Sequence, residues 1–216
     1  MKRFVVWLVL VSASMVPASA LADPIARLTL VSQMGDFIGQ GQSIDFRYVD
    51  PPDSISAQIR RRLSDGSPAE LLFVLNSPPT QAENRFALLF FGTDQLGIPI
   101  RQGTYVDAER ADFANPGHPG LDVAFQNRGS NQLTGSFTIS DVRFRRDAFG
   151  ALELTNFAAQ FEQHSEGATA ALFGRFLFTA SPSAVPEPGS LVLCMTGAVA
   201  LQRRIVRRRK SAAVRW

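Results

Sequence analysis

The 216-residue chain has two histidines, and one of them stands where metal chemistry would be easiest to build. Glu162, His164 and Glu166 fall at i, i+2 and i+4, so on a regular strand all three project from one face. Two carboxylates and an imidazole suit a divalent cation. The plainer reading of the run is a solvated polar face entering a turn at Gly167, and no metal is assigned to it. The second histidine, His118, lies in Asn115-Pro116-Gly117-His118-Pro119-Gly120, a composition that makes a loop. A Ser–His–Asp site would have to use one of these two, and the chain has no Gly-x-Ser-x-Gly elbow. Glycoside hydrolysis needs only two carboxylates, and the 18 Asp and Glu between Asp23 and Val185 leave many pairs open. Asp36, Asp122 and Asn131 are oxygen donors of the kind calcium takes, without the Asp-rich loop spacing of a calcium site. Arg60-Arg61-Arg62 suits an anionic polymer or, more ordinarily, guards an edge strand against pairing. No catalytic residue and no cofactor is assigned on these grounds.

The elements that must position these side chains are strands. Ile44, Phe46 and Tyr48 alternate with Ser43, Asp45 and Arg47, the period of a half-buried strand. Leu133, Phe137 and Ile139 alternate likewise, and the apolar phase then flips to Val142 and Phe144, predicting a bulge near Ser140-Asp141. A second flip, from Leu152 and Leu154 to Phe157, Ala159 and Phe161, predicts another near Thr155-Asn156. Residues 71–75 and 86–91 are apolar throughout and read as inner strands joined across a loop that contains Pro78-Pro79. Further strands are expected at 25–32, 56–63, 103–110, 121–126 and 171–179. Short strands, frequent turns and the lack of an amphipathic helix pattern give an all-β class, with an antiparallel, jelly-roll-like β-sandwich as the expected architecture. No internal repeat is visible.

Both ends differ from this body. Lys2 and Arg3 precede the apolar run Phe4–Val11, and small residues lead to Ala20-Leu21-Ala22 before Asp23. That is the pattern of a secretory signal peptide over residues 1–22, with cleavage after Ala22 and an alternative at Ala18-Ser19-Ala20. No cysteine lies near the cut, which excludes a lipoprotein anchor. The body then spans 23–184, long enough for one domain with a substantial core. A third segment covers 185–210. It opens with Val185-Pro186-Glu187-Pro188-Gly189-Ser190, where two prolines hold the chain extended and Ser190 is placed to cap a following helix. A membrane helix is expected over about 190–206, overlapping a basic tail at 203–210 that carries Arg203, Arg204, Arg207, Arg208 and Arg209. Counted generously, that helix is only about 27 Å long against a hydrocarbon core of roughly 30 Å, so its arginines must snorkel. Cys194, the only cysteine, falls inside it and leaves the body without a disulfide.

This order of box, apolar span and Arg-rich tail resembles the PEP-CTERM sorting signal. The resemblance implies export in a Gram-negative bacterium, a transient anchor in the inner membrane and processing by an exosortase. Delivery to the cell surface or an exopolysaccharide matrix follows. The charge distribution fits. The whole chain is +3, yet residues 23–185 hold 13 Arg, no Lys and 18 Asp or Glu, a formal −5. The basic balance therefore belongs to the ends and argues against a nucleic-acid partner. A basic tail stays cytoplasmic, which leaves the body outside.

The body also resembles a small domain family of exported bacterial proteins. The likeness runs through 35–42, 103–110 and 119–123, is clearest at 127–137 and 157–167, and closes with Ala171-Leu172-Phe173-Gly174. It implies a sandwich and carries no reaction with it. In that family the positions matching Ser130 and Ser165 are usually cysteines, in Gly-Cys-Asn and Gln-His-Cys-Glu contexts. The resemblance thus implies paired positions, and Ser130 and Ser165 are expected to face one another with Cα atoms about 4.4–6.8 Å apart. Trp7 and Trp216 lie outside the mature domain, leaving Tyr48 and Tyr105, so the 17 phenylalanines read as core rather than as a sugar platform. The expected function is a non-catalytic, membrane-tethered surface or matrix protein. The alternative is a secreted polysaccharide hydrolase or carbohydrate-binding module.

Overall fold

The computed structural model describes residues 23–78 and 85–181. Ten strands fill them: β1 (Ile25–Ser32), β2 (Ser43–Val49), β3 (Ser54–Arg62), β4 (Pro68–Asn76), β5 (Ala87–Gly92), β6 (Gly103–Arg110), β7 (Gly120–Phe125), β8 (Leu133–Arg146), β9 (Leu152–Ser165) and β10 (Ala171–Thr179). The two fully apolar runs became the neighbouring strands β4 and β5, with Leu71 opposite Phe91 and Leu75 opposite Ala87. Both predicted bulges are present in the β8–β9 ladder. The register slips between Ile139 and Asp141, and again where Arg143 faces Asn156 but Phe144 faces Leu154, leaving Thr155 as the extra residue. Each slip keeps the apolar side chains on the inner face after the phase flips.

The all-β class holds, with one difference in architecture. All ten strands belong to one sheet, in the order β2-β1-β10-β9-β8-β6-β7-β5-β4-β3, and that sheet is nearly closed into a barrel. Neighbours are antiparallel except β6 and β7, which run parallel through Glu109–Gly120 and Arg110–Leu121. The bends supply a reason for the continuity. β8 and β9 are fourteen residues each, and bulges bend and twist a strand, so the long hairpin carries the sheet round on itself. The two edge strands are β2 and β3, which follow one another in the chain. Edges are where a sheet is open to unwanted pairing. β3 carries Arg60, Arg61 and Arg62, as the edge-guard reading of that run requires.

Inside lies a cluster of aromatic rings. Phe73 packs on Phe176 at 4.7 Å and Phe157 at 5.0 Å between ring centroids, and Phe91 on Phe157 at 5.0 Å. Such tilted and edge-on pairs are the favoured aromatic geometries. Six phenylalanines are essentially inaccessible, while Phe37, Phe113, Phe149 and Phe173 are exposed. Gly174 makes room for this packing, since a Cβ there would stand 2.0 Å from the ring of Phe161, its cross-strand partner. The first strand begins opposite the end of the last, Ile25 against Thr179. The described chain therefore enters and leaves the sheet at adjacent positions.

Candidate functional site

The three residues that opened the metal question do not converge. Glu162 and His164 project from the outer face of β9, with His164 Nε2 2.9 Å from Glu162 Oε1. Glu166 has left the strand: its φ is +56°, and its carboxylate accepts the Asn131 amide. Among the described residues no group of three or more His, Cys, Asp or Glu is placed to hold a metal. The calcium set separates in the same way. Asp36 is buried in the β1–β2 connection, accepting from Ser32 Oγ at 2.7 Å and the Gly39 amide at 2.7 Å. Asp122 and Asn131 do come together, but around a guanidinium: Arg110 donates to Asp122 at 3.2 Å and to the Asn131 carbonyl at 3.5 Å. Burial pushes the Asp122 carboxyl up, against the pull of Arg110.

The inner face of β9 holds the polar cluster. Ser165 and Ser130 are both buried, and the Ser130 hydroxyl donates to Ser165 Oγ at 2.6 Å. Gln163, fully inaccessible, accepts from the Val123 amide at 2.9 Å and donates to the Val123 carbonyl at 3.1 Å. It also reaches Ser130 Oγ at 3.4 Å. Its amide thus plays the part of one more strand residue for β7, meeting a donor and an acceptor that burial would otherwise leave costly. Gln163 was not singled out from sequence, although it sits in the inward phase of Phe157, Ala159 and Phe161.

Arg60 and Arg61 are occupied. Arg60 meets Asp112 at 2.7 Å and Glu70 at 3.2 Å, and Arg61 meets Asp94 at 2.8 Å and Glu70 at 3.7 Å. The Glu70 side chain is fully buried, and burial drives its carboxyl above the usual range although both arginines oppose the shift. Two close carboxylates, one with a raised pKa, are the electrostatic signature of a glycosidase pair. Here the raised one is sealed from solvent and held by cations.

An open cleft of about 440 Å³ lies at the start of β6. Leu96, Ile98 and Pro119 supply its apolar lining, and Arg101, Asp107 and His118 its charged or titratable groups. A break in the β6–β8 register between Tyr105 and Ala108, with Asp107 at φ +55°, turns Val106 and Asp107 outward. His118 Nδ1 is 2.9 Å from the Asp107 carbonyl. A carbonyl only accepts, so Nδ1 carries the hydrogen, and on the neutral ring Nε2 is left as an acceptor. Arg101 and Gln102 are exposed. The sequence places His118 in a loop, as found, but does not reveal the cleft, whose lining from Leu96 to Pro119 depends on how the β6 register break turns the chain.

The signal-peptide residues Ala20 and Ala22 lie outside the described residues. So do the sorting residues Val185, Pro186, Glu187, Pro188, Ser190, Arg203, Arg204, Arg207, Arg208 and Arg209. Among the described residues no helix is long and apolar enough to cross a membrane. The chain matches no protein-family model, no curated protein and no solved structure.

Proposed function

We propose that this chain is exported, held briefly in the inner membrane by its C-terminal segment and processed there by an exosortase. It is then released to the cell surface or an exopolysaccharide matrix as a non-catalytic component. The observation that carries the reading is the order of segments in the sequence: a cleavable leader, an acidic body, a Val-Pro-Glu-Pro box, an apolar span and an Arg-rich tail. The fold is compatible with a tether. Ile25 pairs with Thr179, so the first strand begins beside the end of the last.

Fractionation of an exosortase-bearing host tests this. The parent chain is expected in the matrix fraction, whereas Glu187→Ala or removal of residues 203–216 should leave the precursor in the membrane or mislocalised. A parent chain that stays in the cytoplasm, or a Glu187→Ala variant sorted like the parent, would count against the proposal.

A further inference from the structure

The cleft beside β6 does not end at its own rim. Thr104, which lines it, is the last residue of a straight row across the outer face of the sheet. Thr104 faces Thr138, Thr138 faces Gln160 and Gln160 faces Arg175 in successive registers of β6, β8, β9 and β10. All four side chains are exposed, and the two threonine hydroxyls are 3.0 Å apart. Three inter-strand steps of about 4.8 Å make the row roughly 14 Å long. Its far end opens into a second depression of about 350 Å³, lined by Arg27, Thr29, Asp45, Arg175 and Leu177.

Charge along this track is uneven in an informative way. Arg27 is engaged bidentately by Asp45, whereas Arg101 in the cleft and Arg175 at the far end make no ion pair or side-chain hydrogen bond among the described residues. Both are exposed and unpaired, as is Arg47 on the edge strand β2 among the described residues, on a body with five more acids than bases. Guanidinium is the group best shaped to grip a carboxylate, through two parallel N–H donors. Between the two arginines lie hydroxyl and amide groups that both donate and accept, and in the cleft Asp107 and His118 Nε2 add acceptors beside apolar walls. Hydroxyl pairs, ring C–H faces and regularly spaced carboxylates are the features such a strip would recognise.

We infer that this track binds an extended acidic polysaccharide, with uronate carboxylates on Arg101 and Arg175 and a sugar ring seated in the cleft. The inference rests on the matrix reading above and adds to it the surface and the glycan class.

Affinity electrophoresis of residues 23–184 in gels containing polygalacturonate or neutral dextran tests the site. These residues hold all ten strands of the sheet and leave out the Arg-rich tail, which would bind a polyanion by itself. Polygalacturonate should retard the parent and dextran should not. Arg101→Gln and Arg175→Gln should each weaken binding roughly tenfold, about what loss of one hydrogen bond between charged groups costs, with unchanged thermal melts because neither side chain is paired. Arg62→Gln, on the far edge strand, should bind like the parent. Parent mobility unaffected by polygalacturonate, or both variants binding as well as the parent, overturns the site. If the full chain then still enters the matrix of its host, the matrix reading survives alone. If instead the full chain never reaches the matrix but residues 23–184 show the arginine-dependent retardation, the site stands and the matrix reading falls.

Discussion

Ser130 and Ser165, 35 residues apart in sequence, meet inside the barrel with their hydroxyl oxygens 2.6 Å apart. Both are almost wholly buried, and the contact ties the loop before β8 to the last residue of β9. Small polar side chains in direct contact at such a closure are well placed for a covalent cross-link. Ser130→Cys with Ser165→Cys is expected to form a disulfide on oxidation and to stabilise the barrel by about 3–4 kcal/mol if strain is small. Thermal melts with and without reductant check this. An oxidised double variant that melts no higher than its reduced form would contradict it.

Gln163 should be harder to replace than the serines. Gln163→Leu keeps the volume but leaves the Val123 amide and carbonyl buried without partners, at about 1–3 kcal/mol for each. Chemical denaturation should show a loss of several kcal/mol. Gln163→Glu should be worse at neutral pH than in acid, because only the protonated carboxyl can donate to the Val123 carbonyl.

Glu70 gives the barrel a pH dependence whose sign is set by burial. Its folded pKa is raised above its ordinary value, so the folded chain holds the proton more tightly than the unfolded one. The associated stability is fully present below the unfolded pKa and is lost as pH rises through the folded pKa. Glu70→Gln removes that dependence. Melting temperatures measured from acid to neutral pH should therefore move in the variant's favour, relative to the parent, as pH rises. A difference that is flat across the range, or that moves the other way, would contradict the assignment.

Two glycines in β8 and β10 are space requirements. A Cβ at Gly135 would come within 2.2 Å of the Glu162 carbonyl oxygen, a backbone atom with no rotamer to change. One at Gly174 would meet the Phe161 ring, which can turn at a cost. Gly174→Ala should destabilise by about 1–3 kcal/mol, and Gly135→Ala by more. Comparing the two in urea titrations checks the order.

Where period and phase carry the information, the fold was legible. The alternation of Ile44, Phe46 and Tyr48 placed β2, and the two phase flips located the bulges at Ser140-Asp141 and Thr155, because an inserted residue must show as a change of face. Closure of the sheet was not legible. The parallel contact of Glu109 and Arg110 with Gly120 and Leu121 depends on where β7 comes to lie, and no local pattern encodes that. Gln163 and Glu70 were missed for a related reason: Gln163 is polar in the inward phase of β9, Glu70 is buried on the face opposite Leu71 and Phe73, and only their partners explain them. The candidate cleft was hidden further still, since its lining depends on the register break that turns Val106 and Asp107 outward, which no local pattern announces. The Ser130–Ser165 contact was anticipated solely through a family resemblance, as two serines 35 residues apart announce nothing by themselves.

The central claim concerns the route of this chain out of the cell, and intact-mass spectrometry of the secreted protein from an exosortase-bearing host tests it most directly. The expected species begins at Asp23 and lacks the Arg-rich end that starts at Arg203. Secreted protein that still ends in Trp216 would contradict the account.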